Sequence, residues 1–401
     1  MSVDDKTERW LTPGVVGIGT ASLLSDLGHE IPTALLPSLL TSTLGAPAAA
    51  LGLIEGVSDG LAGLARFGGG ALADDPGRRR TVAVGGYAAT AVLAAGTGMT
   101  TAVWQVGLLR AGAWAARGLR VPARNALLAD VVHPRAYGRA YGFERAMDNL
   151  GAIGGPLLAI GLVAAFGTRW AIAVSVLPGL AAAVAIIYAI RRTPAPTVRE
   201  RTPIRLRVRP VLTGGLGRLF AGISAFEIGN CAATLYILRA TDLLEPGHGR
   251  DSATTIALAL YVTYNAAATL TSLAAGRLSD QRTPRFALIL GVAAFALAYA
   301  GFARDTSAWV GLLPWFVTAG VGIGFVETAE HAAVAGAAPS DLRGSAFGLL
   351  AGVQSFGNLA ASGIAGVLWS VFSPSWAFAY LAVWMVLALV LVVTVPASSM
   401  V

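Results

Sequence analysis

The sequence predicts an all-α membrane protein: twelve transmembrane helices in two pseudo-symmetric six-helix bundles. Three observations carry that expectation. Over 401 residues, 55% are hydrophobic and only 13% charged, whereas a water-exposed globular surface normally needs about a quarter charged residues. Apolar runs recur at the length of about 20 residues that crosses a bilayer. Two motifs also repeat at one offset. GALADDPGRRR at 70–80 returns as GRLSDQRTPR at 276–285, and GRAYGF at 138–143 as GSAFGL at 344–349, both 206 residues on. That pattern reads as a six-span unit used twice in parallel.

In chain order, the opening MSVDDKTERW lacks the basic, apolar and small-residue segments of a signal peptide and reads as a cytoplasmic tail. Spans are expected at 12–40, 47–71, 81–99, 102–130, 140–165 and 168–190, then at 211–239, 252–276, 286–303, 308–336, 344–370 and 375–396. The domains follow: an N-terminal bundle (1–190), a basic cytoplasmic linker (191–210), rich in Pro and Arg and free of any apolar run, and a C-terminal bundle (211–401). With both termini inside, the inner segments carry eighteen cations, among them Lys6, Arg9, Arg78 and seven linker arginines, against Arg169, Arg250 and Arg304 outside. Such an excess sets the orientation by the positive-inside rule; the expected location is the inner (plasma) membrane. The net charge of +7, nearly all of it arginine beside apolar runs, points to a lipid surface rather than nucleic acid. A single cysteine, Cys231, excludes intrachain disulfides and a Cys-rich metal site.

The motifs then carry a resemblance. Gly70, Asp74, Gly77, Arg78, Arg79 and Arg80 match the first signature of the major facilitator superfamily of secondary transporters, and Arg110 stands where its second signature arginine stands. Gly142, Gly151, Gly155 and Pro156 resemble its antiporter signature, although that pattern's next glycine pair is Ala159 and Ile160 here. A bacterial branch is resembled more narrowly through Asp26 with Glu30, Arg117 to Arg124, and Gly229 with Asn230; its members often carry an acid where this chain has Asn125. The resemblance spans essentially the whole chain. It implies alternating access around a cavity lined by helices 1, 4, 7 and 10.

The charged residues inside the spans sharpen that expectation. At about 3 kcal/mol for each charge at a helix centre, exposing Asp26, Glu30, Glu55, Asp59, Asp148, Glu227, Glu327 and Glu330 to lipid would cost roughly 24 kcal/mol. That exceeds a whole fold's stability of about 5–15 kcal/mol, so these acids face protein or water. Asp26 and Glu30 share one face of span 1. Two close carboxylates in low dielectric do not both ionise cheaply, so the pair is read as proton-coupling, with Arg110 as partner, as structural ion pairs with span-4 arginines, or as direct substrate contacts. His29, Arg117, Glu227, Asn230, Glu327, Glu330 and His331 are the candidate substrate contacts. Asp74, Arg78, Arg120, Arg124, Asp148 and Asp280 are candidates for a cytoplasmic gate, with Asp130 and Glu144 as further partners for Arg124. Glu327 and His331, one turn apart, are a weak metal signal, and a hydrogen-bonded histidine is the competing reading. Trp114 and Tyr236 either stack on an organic substrate or are simply packed. Glu55 and Asp59 are expected to pair across the interface between halves.

No nucleophile-base triad or Gly-rich nucleotide loop appears. The expectation is therefore not an enzyme. It is a monomeric secondary transporter without cofactor, moving a small charged or zwitterionic organic solute, by proton-coupled efflux (antiport). An importer or uniporter of a metabolite or metal complex, or a receptor on the same fold, are the alternatives.

Overall fold

The computed structural model describes residues 10–193, 204–306 and 308–394. Lys6, Arg9 and the linker arginines Arg199 and Arg201 lie outside them. The described residues form helices α1 (Pro13–Ser38), α2 (Ala48–Ala73), α3 (Pro76–Gly96), α4 (Val103–Val131), α5 (Tyr137–Val174), α6 (Val176–Arg191), α7 (Gly214–Glu227), α8 (Thr234–His248), α9 (Arg250–Gln281), α10 (Pro284–Phe302), α11 (Trp309–Ala337), α12 (Arg343–Val371) and α13 (Pro374–Thr394).

Local chemistry sets the helix ends. Thr12 caps α1 ahead of Pro13, its hydroxyl accepting from Val15 N–H at 3.3 Å. Asp75 caps α3 ahead of Pro76, accepting from the N–H groups of Gly77 at 2.9 Å and Arg78 at 3.0 Å. Those backbone bonds, with the Arg78 guanidinium at 3.2 Å, hold the Asp75 carboxyl below the usual carboxylate range. Gly167 (φ 74°, ψ 167°) breaks α5, at the boundary expected between spans 5 and 6.

Six stretches among the described residues are long and apolar enough to cross a membrane by composition alone. α4 is absent from that set because Arg110, Arg117, Arg120 and Arg124 lie within it. The largest departure from the expected spans is span 7. It is two helices, α7 and α8, separated at residues 228–233, and it extends to His248 rather than ending at 239. The unwound backbone is satisfied locally: Cys231 N–H donates to the Tyr299 hydroxyl at 3.2 Å and Ala232 N–H to Ser362 Oγ at 2.8 Å, while Asn358 Nδ2 donates to the Asn230 carbonyl at 2.8 Å. Such repair is what allows an interruption within a span.

The chain forms two compact units. The first runs through Ala136 and adds Met147–Val211 and Ala338–Gly352; the second comprises Tyr137–Ala146, Leu212–Ala337 and the chain from Val353. The first turns of α5 thus belong with the second unit, and those of α12 with the first. Glycine makes both exchanges possible. In the first unit a Cβ on Gly70 would stand 2.8 Å from the Gly344 carbonyl oxygen and from Gly348 Cα; in the second, one on Gly142 would stand 3.1 Å from Gly276 Cα. The repeated motifs are therefore the two sides of one backbone contact, used twice.

Candidate functional site

In the first unit, α1, α2 and α4 build a buried ionic cluster. α4 presents its arginines at steps of three and four, on one stripe. Arg117 Nη2 donates to both oxygens of Asp26, at 3.1 and 3.3 Å. Arg110 donates to Glu55, at 3.0 and 3.3 Å, and to Thr33 Oγ1 at 3.0 Å. The expectation that Arg110 serves a helix-1 acid is thereby corrected. Its carboxylate comes from α2, and Glu55 pairs inside its own unit. Trp114 sits at the centre, its ring 4.3 Å from that of His29 and 4.7 and 5.4 Å from the guanidinium carbons of Arg110 and Arg117. The indole joins two cations to a buried histidine, an arrangement favoured by its electron-rich face.

Glu30 is half-buried on the same helix as Asp26. Beside both, α5 comes down on α1 through glycine: a Cβ on Gly151 would lie 2.9 Å from the Asp26 Cβ and 2.6 Å from the Leu23 carbonyl oxygen, and one on Gly155 would meet the Glu30 Cβ. The signature glycines act here as spacers that bring two backbones together at the acids.

Arg120 lies on the same stripe of α4. It donates to Ser25 Oγ at 2.6 Å and lies over the Tyr87 ring at 3.9 Å, because the helix facing it is α3, whose Gly86 and Tyr87 offer space and a π-face rather than an acid. Arg124 donates to Ser22 Oγ at 2.8 Å and to Asp148 at 3.4 Å, so Asp148 is one of its partners.

Asp74 and Asp280 occupy equivalent latches, one in each unit. Buried Asp74 accepts from Ser345 N–H at 2.8 Å, Ser345 Oγ at 2.5 Å and Arg207 Nε at 3.3 Å, holding the start of α12. Asp280 accepts from Gly138 N–H at 2.7 Å, Arg139 N–H at 3.1 Å and Arg139 Nε at 2.7 Å, holding the start of α5. The carboxylate at each helix start meets unpaired N–H groups and the positive end of the helix dipole. Arg78, expected beside Asp74, instead bonds Asp75, its own helix cap. Buried Arg79 pairs with Asp130 and donates to the Ala73 carbonyl at 2.7 Å.

In the second unit the polar centre is formed by α7, α11 and α12. Glu330 is fully buried and Glu227 nearly so, and the two carboxyls are close enough to interact electrostatically. Gln354 Nε2 donates to Glu330 at 2.9 Å, and Asn230 Nδ2, from the break after α7, donates to Glu227 at 3.0 Å. Gly357 brings α12 onto this point: a Cβ there would be 2.7 Å from that of Glu227. Glu327 faces Arg145 at 3.7 Å, and Arg145 is bound to Glu144 at 2.8 and 3.0 Å. His331 Nδ1 lies 2.7 Å from the Glu327 carbonyl oxygen, the hydrogen-bonded reading of that histidine. Tyr236 is a packed core residue, ringed by Tyr264, Tyr299, Phe302 and Phe378 at 5.3–6.3 Å. Buried Cys231 lies beside it, its carbonyl accepting from the Tyr236 hydroxyl at 3.2 Å.

Sequence reasoning missed Gln354, which has no charge to draw attention, and Arg145 and Arg239, which do. Arg239 stands alone in an apolar run and is buried, donating to the Phe302 and Arg304 carbonyls, to Asp305 at 2.7 Å and to Ser375 at 2.9 Å. The hydrogen bonds that Asp305 accepts from Arg239 and from the Ser375 hydroxyl hold its carboxyl below the usual range. A lone cation in an apolar span was the available signal.

The family model of the Major Facilitator Superfamily matches residues 18–238 and 223–399. The chain belongs to that superfamily. Among its relatives, an MFS-type transporter of Methanocaldococcus jannaschii is 28% identical over 384 residues, covering 94% of this chain and 93% of the relative. A protein of Mycobacterium tuberculosis is 28% identical over 344 residues, covering 84% and 82%. Solved superfamily structures share the fold. An outward-facing bacterial homologue of the iron transporter ferroportin aligns with a TM-score of 0.74 at 14% identity, over 95% of this chain and 98% of that one. The human organic anion transporter MFSD10 aligns at 0.73 and 16%, over 95% and 99%. The protein is thus a multi-pass membrane protein, a secondary transporter and not an enzyme.

Proposed function

We propose that the protein exports a small cationic or zwitterionic organic solute in exchange for protons, by alternating access, from an inner membrane with both termini in the cytoplasm. The carrying observation is the Glu227–Glu330 pair. Two carboxyls brought together in a dry interior do not both carry charge cheaply, so the pair is suited to taking up and giving back a proton. An arriving cation supplies the missing positive charge and releases that proton. Proton and solute then compete for one site, and competition of this kind drives counter-movement. The carboxyl pair that carries the proton is therefore read in α7 and α11 rather than at Asp26 and Glu30, where Arg117 already balances Asp26. In the first unit, Arg110, Arg117 and His29 around Trp114, with Glu30 nearby, form a candidate site of their own for an anionic or aromatic group. Asn230, Glu327 and His331 border the proton site. The charge census supports the orientation.

The test is flux in proteoliposomes with an imposed pH gradient, using ethidium, tetraphenylphosphonium and lysine as probes. The expected result is a probe moving against the proton gradient, with Glu330→Gln and Glu227→Gln each removing pH-driven accumulation while retaining probe-for-probe exchange. Co-directional movement of probe and protons, or pH drive intact in both variants, would reject the reading.

A further inference from the structure

A cavity of about 10 Å³ lies in the first unit among α1, α3 and α6, lined by Ser25, Gly28 and His29 from α1, by Tyr87 and Thr90 from α3 and by Gly179 from α6. It has room for the centre of one water-sized molecule. His29 and Tyr87 expose only 2% and 1% of their surface, yet neither ring nitrogen of His29 nor the Tyr87 hydroxyl has a hydrogen-bond partner among the described residues. The imidazole packs on Trp114 at 4.3 Å, a contact that occupies its ring and leaves both nitrogens unmet. Ser25 Oγ accepts from Arg120 Nη2 at 2.6 Å and keeps its own proton to give, while the Thr90 hydroxyl donates to the Gly86 carbonyl at 2.7 Å and keeps its lone pairs to accept. The walls are fixed by backbone: a Cβ on Gly28 would stand 2.9 Å from the Gly179 nitrogen. Two helices already in backbone contact do not close further on the space.

We propose that this cavity is a binding site for one water molecule, which joins the His29 imidazole to the Tyr87 hydroxyl and takes its remaining bonds from Ser25 and Thr90. Size and chemistry select this occupant. Buried polar groups without partners are costly, and a buried water typically makes about three hydrogen bonds to such groups. The four side chains offer both donors and acceptors, as water requires and an ion does not. A cation would meet no carboxylate on the lining and would lie close to the Arg120 guanidinium, which covers the Tyr87 ring at 3.9 Å; a halide is larger than the space. The bridge makes Tyr87 a positioning residue for His29, since it fixes which ring nitrogen carries the proton. The inference is independent of the transported solute.

A crystal structure of the full-length protein grown in sodium bromide, at a resolution that shows ordered water, provides the first test. One peak is expected at about 2.9 Å from a His29 ring nitrogen and from the Tyr87 hydroxyl, with no anomalous bromine signal. A bromine signal would make the cavity an anion site, and no peak would leave it dry; either result overturns the proposal. A second test reads His29 itself. The chain has four histidines; with their rings labelled with nitrogen-15 and His29 assigned by its loss in His29→Gln, Tyr87→Phe is expected to shift a His29 ring resonance by several ppm. That substitution keeps the ring beneath Arg120 and removes only the hydroxyl. An unchanged His29 resonance in a Tyr87→Phe protein that unfolds thermally as the parent does would overturn the bridge, because a merely packed Tyr87 has no hold on the histidine nitrogens.

Discussion

Arg117 and Asp26 show how single residues are fixed in this protein. The guanidinium keeps its charge in any interior, so one buried partner obliges the other, and the pair is supported by Trp114 on one side and by Gly151 on the other. Asp26→Asn leaves that cation short of its carboxylate. The expected cost is about 3 kcal/mol, the lower end for breaking a buried pair, since Arg117 keeps 21% of its side-chain surface exposed. Adding Arg117→Gln to Asp26→Asn should recover part of the loss. Thermal unfolding of the two single variants and the double variant in detergent checks this: strictly additive losses would mean that the two side chains do not act as a pair.

At the scale of helices, the decisive feature is the latch at the start of α5 and of α12. In each, a glycine-to-glycine backbone contact brings the helix start close to a carboxylate at the end of α9 or α2, which then takes up its free N–H groups. The contact is local to each unit, so its loss should be local too. Asp74→Asn is expected to raise amide hydrogen exchange across residues 343–350 without changing 137–144, and Asp280→Asn to do the reverse. Hydrogen exchange with mass spectrometry reads both segments in one experiment. Equal deprotection of the two segments by either variant would show that the latches are not independent.

For the whole molecule, orientation in the bilayer is the property on which the direction of export depends. Arg250 and Arg282 flank the two ends of α9 and are both exposed, so they should report opposite sides of the membrane. With Cys231 replaced by Ala, Arg250→Cys is expected to react with a membrane-impermeant maleimide in intact cells, and Arg282→Cys only after permeabilisation. The opposite pattern would invert the topology and reverse the direction assigned to the solute.

The class of fold, the spans and the repeat were legible in the sequence, because each depends on local composition or on motifs that recur at one spacing. The break at Gly167 was legible for the same reason. Gly229 and Asn230 offered a comparable signal for the interruption of span 7, since both are poor helix formers, yet the surrounding apolar run reads as one helix. Partner choice was not legible. Arg110 takes Glu55, Arg120 takes a hydroxyl and an aromatic ring, and Glu227 meets Glu330, because the rotation and depth of each helix against its neighbours decide which side chains converge. Those quantities come from interhelical packing, much of it at glycines. Sequence alone thus determined that the chain crosses the membrane as a twofold repeat with charges turned inward, since exposing them to lipid costs more than folding returns. Only the tertiary structure decided which charge answers which, because a pair forms across helices that no stretch of sequence contains.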